Sequence, residues 1–156
     1  ALAVALTLLP VALMTDAAWG LRGTLRPSDY PAEWLAARSI VAPGHGDALL
    51  LPLGNYRAPA WNHGTPVIDP LARLLRVDTT IADDLVVGGV VVPGEDPTAR
   101  RAAAALELAT PEERSAALRR LGFGWVLVER DAGDAPQVAG AVVHDGPLLE
   151  IVRLGG

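Results

Sequence analysis

From Thr15 onward, apolar residues fall in short runs and helical stripes separated by proline and glycine, the punctuation of a folded domain. Pro31 opens a predicted helix that runs through Val41, with Asp29 just ahead as a capping residue. Trp34, Ala37, Ile40 and Val41 share one face of it at helical spacing. Pro43-Gly44-His45-Gly46 stops the helix. Ala48-Leu49-Leu50-Leu51, ended by Pro52, is continuously apolar and predicts a strand in a sheet covered on both faces. Gly54 to Pro70 reads as a long irregular loop, and Pro70 to Arg76 as a short helix. Leu85 to Val92 is a second β-branched run, and Gly88-Gly89 within it reads as a bulge or a close backbone approach.

The C-terminal half carries stronger local signals. Asp96 before Pro97 is a cap followed by proline at the first helical position, and Ala102, Ala105, Leu106 and Ala109 then share a face. Thr110-Pro111-Glu112-Glu113 has capping-box spacing, so another helix starts at once and runs to about Leu121, where Gly122 ends it. Trp125 to Val128 predicts a third buried strand, and Pro136 to Ala139 a further short helix. Val142-Val143-His144 and Leu148 to Val152 flank Asp145-Gly146, a dipeptide suited to a tight turn with positive φ. Pro147 after it fits only an edge or a turn. Helices alternating with apolar strands, closed by a hairpin, predict a three-layer α/β domain with a mixed, largely parallel sheet and a C-terminal β-hairpin.

The opening of the chain has a different character. Ala1 to Met14 are apolar apart from Thr7. A core helix or a signal-peptide apolar region would suit a run of this length, but a signal peptide should carry a charged segment ahead of it. A spanning helix needs ~20 apolar residues. Residues 1–14 are therefore expected to be the end of a transmembrane helix whose beginning lies upstream, with Trp19 near the interface. Residues 15–28 then read as a linker and 29–156 as the folded domain. Arg22 and Arg26 are too few to set the orientation.

Composition mainly excludes. Cysteine is absent, so disulfides, thiolate metal sites and a cysteine nucleophile go together. All 13 basic residues are arginine, the formal charge is −5, and no basic stripe interleaved with aromatics exists, which leaves nucleic acid without support as a partner. His45, His63 and His144 lack zinc spacing, and Ser28, Ser39 and Ser115 lack a nucleophile-elbow context. No catalytic residue, metal or cofactor is expected. Asp83-Asp84 could hold a hard cation with Asp78 or Asp69, but the spacing fits no calcium loop and suits turn capping. The richest polar stretch holds Tyr56, Arg57, Trp61, Asn62, His63 and Asp69. Its aromatics offer flat faces for a sugar or lipid headgroup, and its polar groups can hydrogen-bond hydroxyls or phosphate. The alternative is a loop whose aromatics pack on the domain while its polar groups satisfy backbone.

Four stretches, "YPAEWLAARSI", "GDALLLPLGNYRAPAWNHG", "LRRLGFGWVLVER" and "VVHDGPLLEIVRL", occur in an order that resembles a known family. The chain looks like the C-terminal extracytoplasmic domain of bacterial multi-pass membrane glycosyltransferases of the GT-C type, including uncharacterised actinobacterial relatives. The resemblance implies a cell-membrane parent that transfers sugar from a polyprenyl-phosphate donor. It also implies a catalytic acid in an early loop that nothing in this sequence matches. The domain itself would be non-catalytic and would support transfer or bind the acceptor, a glycan or polyprenyl-phosphate sugar. A structural or interaction module of a membrane protein without sugar chemistry is the alternative, and a small secreted or cytosolic enzyme a third reading.

Overall fold

The computed structural model describes residues 26–155, together with Leu9 and Gly20–Gly23. The expected transmembrane end at 1–14 thus lies, Leu9 apart, outside the described residues. Among the described residues no helix is long and apolar enough to cross a membrane.

Five strands form one sheet. Strand β1 (Asp47–Leu51) pairs in parallel with β4 (Thr79–Thr80) on one side and with β7 (Phe123–Glu129) on the other. Beyond β7 the sheet turns antiparallel through β9 (Leu149–Arg153) and then β8 (Ala141–Asp145), giving the order β4-β1-β7-β9-β8. The sheet is mixed, and the C-terminal hairpin forms its antiparallel end. Two further pairs stand apart, β2 (Tyr56–Arg57) with β3 (Val67–Ile68) and β5 (Leu85–Val87) with β6 (Val90–Val92).

Helices cover both faces, which is why the strand sequences are apolar without alternation. On one face α1 (Ala32–Ile40) and α2 (Leu71–Leu74) pack Trp34, Ala37 and Leu71 onto Ala48, Leu50, Trp125, Leu127 and Ile151. On the other, α3 (Pro97–Leu106) and α4 (Pro111–Arg120) pack Ala102, Leu106 and Leu118 onto Leu49, Leu51, Val126 and Val152. Strands β1, β7 and β9 thus feed two cores through side chains that alternate between faces. The two helices of the second layer start where their caps say. Asp96 accepts from the Thr98 backbone N–H, and Thr110 and Glu113 form a reciprocal capping box.

Four local expectations need correction. Asp29 makes no cap: Pro31 holds the N-cap position of α1 without a side-chain hydrogen bond. Residues 136–139 form no helix, because α4 takes their carbonyls. Arg114 donates to Gln137 O and Ser115 to Ala139 O, at 3.0 and 2.6 Å. Gly88-Gly89 is neither bulge nor close approach but the two-residue turn of the β5–β6 hairpin, with φ of +59° and +83° as such a turn requires. Gly146 does not take a positive φ, and the β8–β9 connection is the wider Gly146-Pro147-Leu148. A Cβ there would have to displace the Glu33 carboxylate. That carboxylate accepts from the Leu149 N–H at 2.9 Å and so clamps the hairpin to α1.

Candidate functional site

The chain leaves β1 at Pro52, reaches β4 past α2 on one face, then reaches β7 through α3 and α4 on the other. The connections that leave the carboxyl ends of the neighbouring strands β1 and β4 therefore run on opposite faces. In open α/β sheets the crevice outside the carboxyl ends of such strands is the common ligand site. The protein has a cavity of about 580 Å³ there. Leu53, Asn55 and Tyr56 reach it from the end of β1, Asp83 and Asp84 from the end of β4, and Arg100 from α3. Ala82, Ala99 and Ala103 leave its wall apolar and without bulky side chains, and Val91 of the β5–β6 hairpin closes one side.

The polar groups around this cavity are held from outside it. Asp83 Oδ2 accepts from the Glu95 and Asp96 backbone N–H groups at 2.7 and 3.0 Å, and Asp84 Oδ1 from Gly94 N–H at 2.6 Å. Arg100 Nη1 donates to Gly94 O at 2.7 Å. Both aspartates thus brace the loop that enters α3, which is the turn-capping role. The Asp96 backbone N–H holds the Asp83 carboxyl below its usual range, helped by the Glu95 N–H and the Arg100 guanidinium. Among the described residues no group of three or more His, Cys, Asp or Glu is arranged to hold a metal ion. With two carboxyls and one guanidinium, the rim is a poor receptor for an anion and a good one for neutral hydroxyls.

Next to Tyr56 in the chain, Arg57 enters a buried charge cluster. Arg57 Nε stands 3.5 Å from Asp69 Oδ2 and 3.7 Å from Glu129 Oε1, and all three side chains are at least 93% buried. Arg57 Nη2 donates to Pro52 O at 2.5 Å, and Asp69 Oδ1 accepts from Leu71 N–H at 2.9 Å. Burial pushes the Glu129 carboxyl up to about 9, and the adjacent Asp69 carboxylate adds to the shift while Arg57 opposes it. Glu129 is thus protonated at neutral pH, so one guanidinium faces one carboxylate and the cluster is neutral. It ties the β2–β3 segment to the ends of β1 and β7.

The six residues singled out in the sequence therefore part into separate settings. Tyr56, 55% exposed, lines the cavity. Arg57 and Asp69 sit in the buried cluster. Trp61, half-buried against the first core, packs edge-on to Trp34 and Tyr30, with ring centroids 5.0 and 5.6 Å apart, and with Tyr30 and Asn62 lines a smaller pocket of about 180 Å³. Asn62 Nδ2 donates to Thr65 O at 3.1 Å within its own loop. His63 is exposed, with a φ of +54° at the end of a 3₁₀ turn. Sequence reasoning missed Glu129 and Arg100. The signal for Glu129 was a lone acid closing an apolar strand; Arg100 carried none.

No family model and no curated protein matches the chain. Its fold is similar to that of two cryo-EM structures of the arabinofuranosyltransferase AftD from mycobacteria. One, of a point mutant, gives a TM-score of 0.58 and 22% identity over 100% of this chain and 16% of that chain. The other gives 0.57 and 19% over 95% of this chain and 14% of that chain. The chain thus spans a small part of the length of the enzyme it matches, and across that part it has the fold of a segment of a mycobacterial glycosyltransferase.

Proposed function

We propose that this chain is a non-catalytic accessory domain of a membrane glycosyltransferase, held on the extracytoplasmic side, whose cavity binds the glycan acceptor. Support for the setting comes from a fold that matches a piece of an arabinofuranosyltransferase over its whole length. The observation that carries the acceptor role is the cavity at the carboxyl ends of β1 and β4. It combines an apolar wall, the exposed ring of Tyr56, and an Asn, two Asp and an Arg in its lining. The excess of carboxyls over guanidinium favours a neutral oligosaccharide over the phosphate of a polyprenyl-phosphate donor. Sugar transfer itself would belong to other parts of the parent protein.

Calorimetric titration with a neutral arabinose oligomer tests this reading. Tyr56→Ala and Asn55→Ala should each weaken binding about tenfold, while Trp61→Ala lowers the melting temperature and leaves affinity unchanged. Binding that survives both cavity changes, or no binding at all, defeats the acceptor role. A second reading, a structural module of a membrane protein without sugar chemistry, is favoured by the uncovered apolar β5–β6 hairpin. That module would be silent in the same titration.

A further inference from the structure

Leu85-Val86-Val87-Gly88-Gly89-Val90-Val91-Val92 contains no polar side chain. In the antiparallel register Leu85 opposes Val92 and Val87 opposes Val90, so these four share one face of the hairpin. They are 43, 48, 64 and 66% exposed, respectively, and Val91 is 59% exposed. Water is a poor environment for such a surface. Charges are confined to its base, where Asp83 and Asp84 on one side and Glu95 and Asp96 on the other flank the two strands. The base is also rigid. Asp84 accepts from Gly94, and Asp83 from Glu95 and Asp96, which pins the outgoing strand to the incoming one.

We infer that the β5–β6 hairpin is a membrane-docking element that seats its glycine tip in the interfacial layer of a lipid bilayer. Two observations select lipid over a protein partner. Charges lie at the base and none at the tip, which follows the gradient from water to hydrocarbon. Residues 1–14 are an apolar, membrane-type run in the same chain. Depth is limited by the two open strand edges, whose backbone groups cannot be left unpaired in hydrocarbon. Three residues per strand at ~3.3 Å each give a reach of about 10 Å, the depth of interfacial insertion. The acidic base predicts neutral rather than anionic lipid. Because Val91 also lines the cavity, docking would place that wall of the cavity beside the lipid surface.

This inference does not depend on glycan binding, and its test is separate. The chain has no cysteine, so Val90→Cys gives a unique site for a nitrobenzoxadiazole label, and Arg120→Cys on the exposed end of α4 gives a control. With phosphatidylcholine vesicles, the Val90 label should shift to the blue and lose about tenfold of its iodide quenching, while the Arg120 label keeps its own. Adding Val87→Asp and Val92→Asp should return the Val90 label to solution behaviour, with circular dichroism unchanged because neither side chain reaches a core. Equal quenching of the two labels on vesicles overturns the inference. So does protection of the Val90 label before lipid is added, which would mean that protein covers the hairpin.

Discussion

Residues 97–154 and residues 52–96 contrast in how they treat polarity. In the first region both helices begin at side-chain caps, the strands are five or seven residues long, and apolar side chains are shared between two cores. In the second the strands are two or three residues long, a row of valines faces outward, and Arg57 and Asp69 are buried against Glu129 of the first. Regular elements satisfy their own backbone, and burial of their side chains then supplies the stability. The irregular region needs charged side chains and aspartate braces to hold its shape. The rigid half builds the platform, and the irregular half bends around the carboxyl ends of β1 and β4 to leave a cavity.

The contrast can be broken most severely on the platform. Leu127 is fully buried in the central strand, and Leu127→Ala should cost about 2–5 kcal/mol in chemical denaturation. A loss well under that would mean the strand is not the spine of the domain.

The next effect comes from the buried cluster and depends on pH. Glu129 is raised from 4.5 to about 9 on folding, so between those values the unfolded chain releases a proton that the folded chain retains. Its contribution to stability is therefore whole below the lower value and declines as pH rises through the upper one. Glu129→Gln stays neutral throughout and should flatten the fall in denaturation midpoint across that window. An unchanged slope would remove Glu129 as its source.

Smaller effects sharpen the same division. Thr110→Ala removes one partner of the capping box and should cost about 1 kcal/mol by thermal unfolding. Val90→Ser on the hairpin should change stability by less than about 0.5 kcal/mol, since its side chain is already in solvent. A hairpin substitution that destabilises as much as the cap would mean that the outward valines are packed after all.

These regions were also unequally legible in the sequence. Asp96-Pro97 and the Thr110–Glu113 box are local devices, and both helices start where those residues say. Leu49, Leu50 and Val126 read as doubly covered because a parallel strand buries both its faces, and they are. Leu85–Val92 looked like another strand of that kind, since composition cannot distinguish an apolar run that is buried from one that is exposed. The strand actually beside β1 on that side is Thr79–Thr80, too short and polar to announce itself. The buried cluster joins residues 57, 69 and 129, and the cavity joins the ends of β1 and β4 to α3. Only topology brings such distant positions together, so the loop aromatics Tyr56 and Trp61 read as one platform when they occupy different settings.

The proposed acceptor role requires that the cavity at the carboxyl ends of β1 and β4 receive a neutral glycan. Mapping backbone amide shifts by NMR during titration with a neutral arabinose oligomer tests it most directly. Shifts are expected to be confined to Leu53–Tyr56, Ala82–Asp84 and Ala99–Ala103. Shifts centred instead on Tyr30, Trp61 and Asn62, or none anywhere at millimolar ligand, would contradict it.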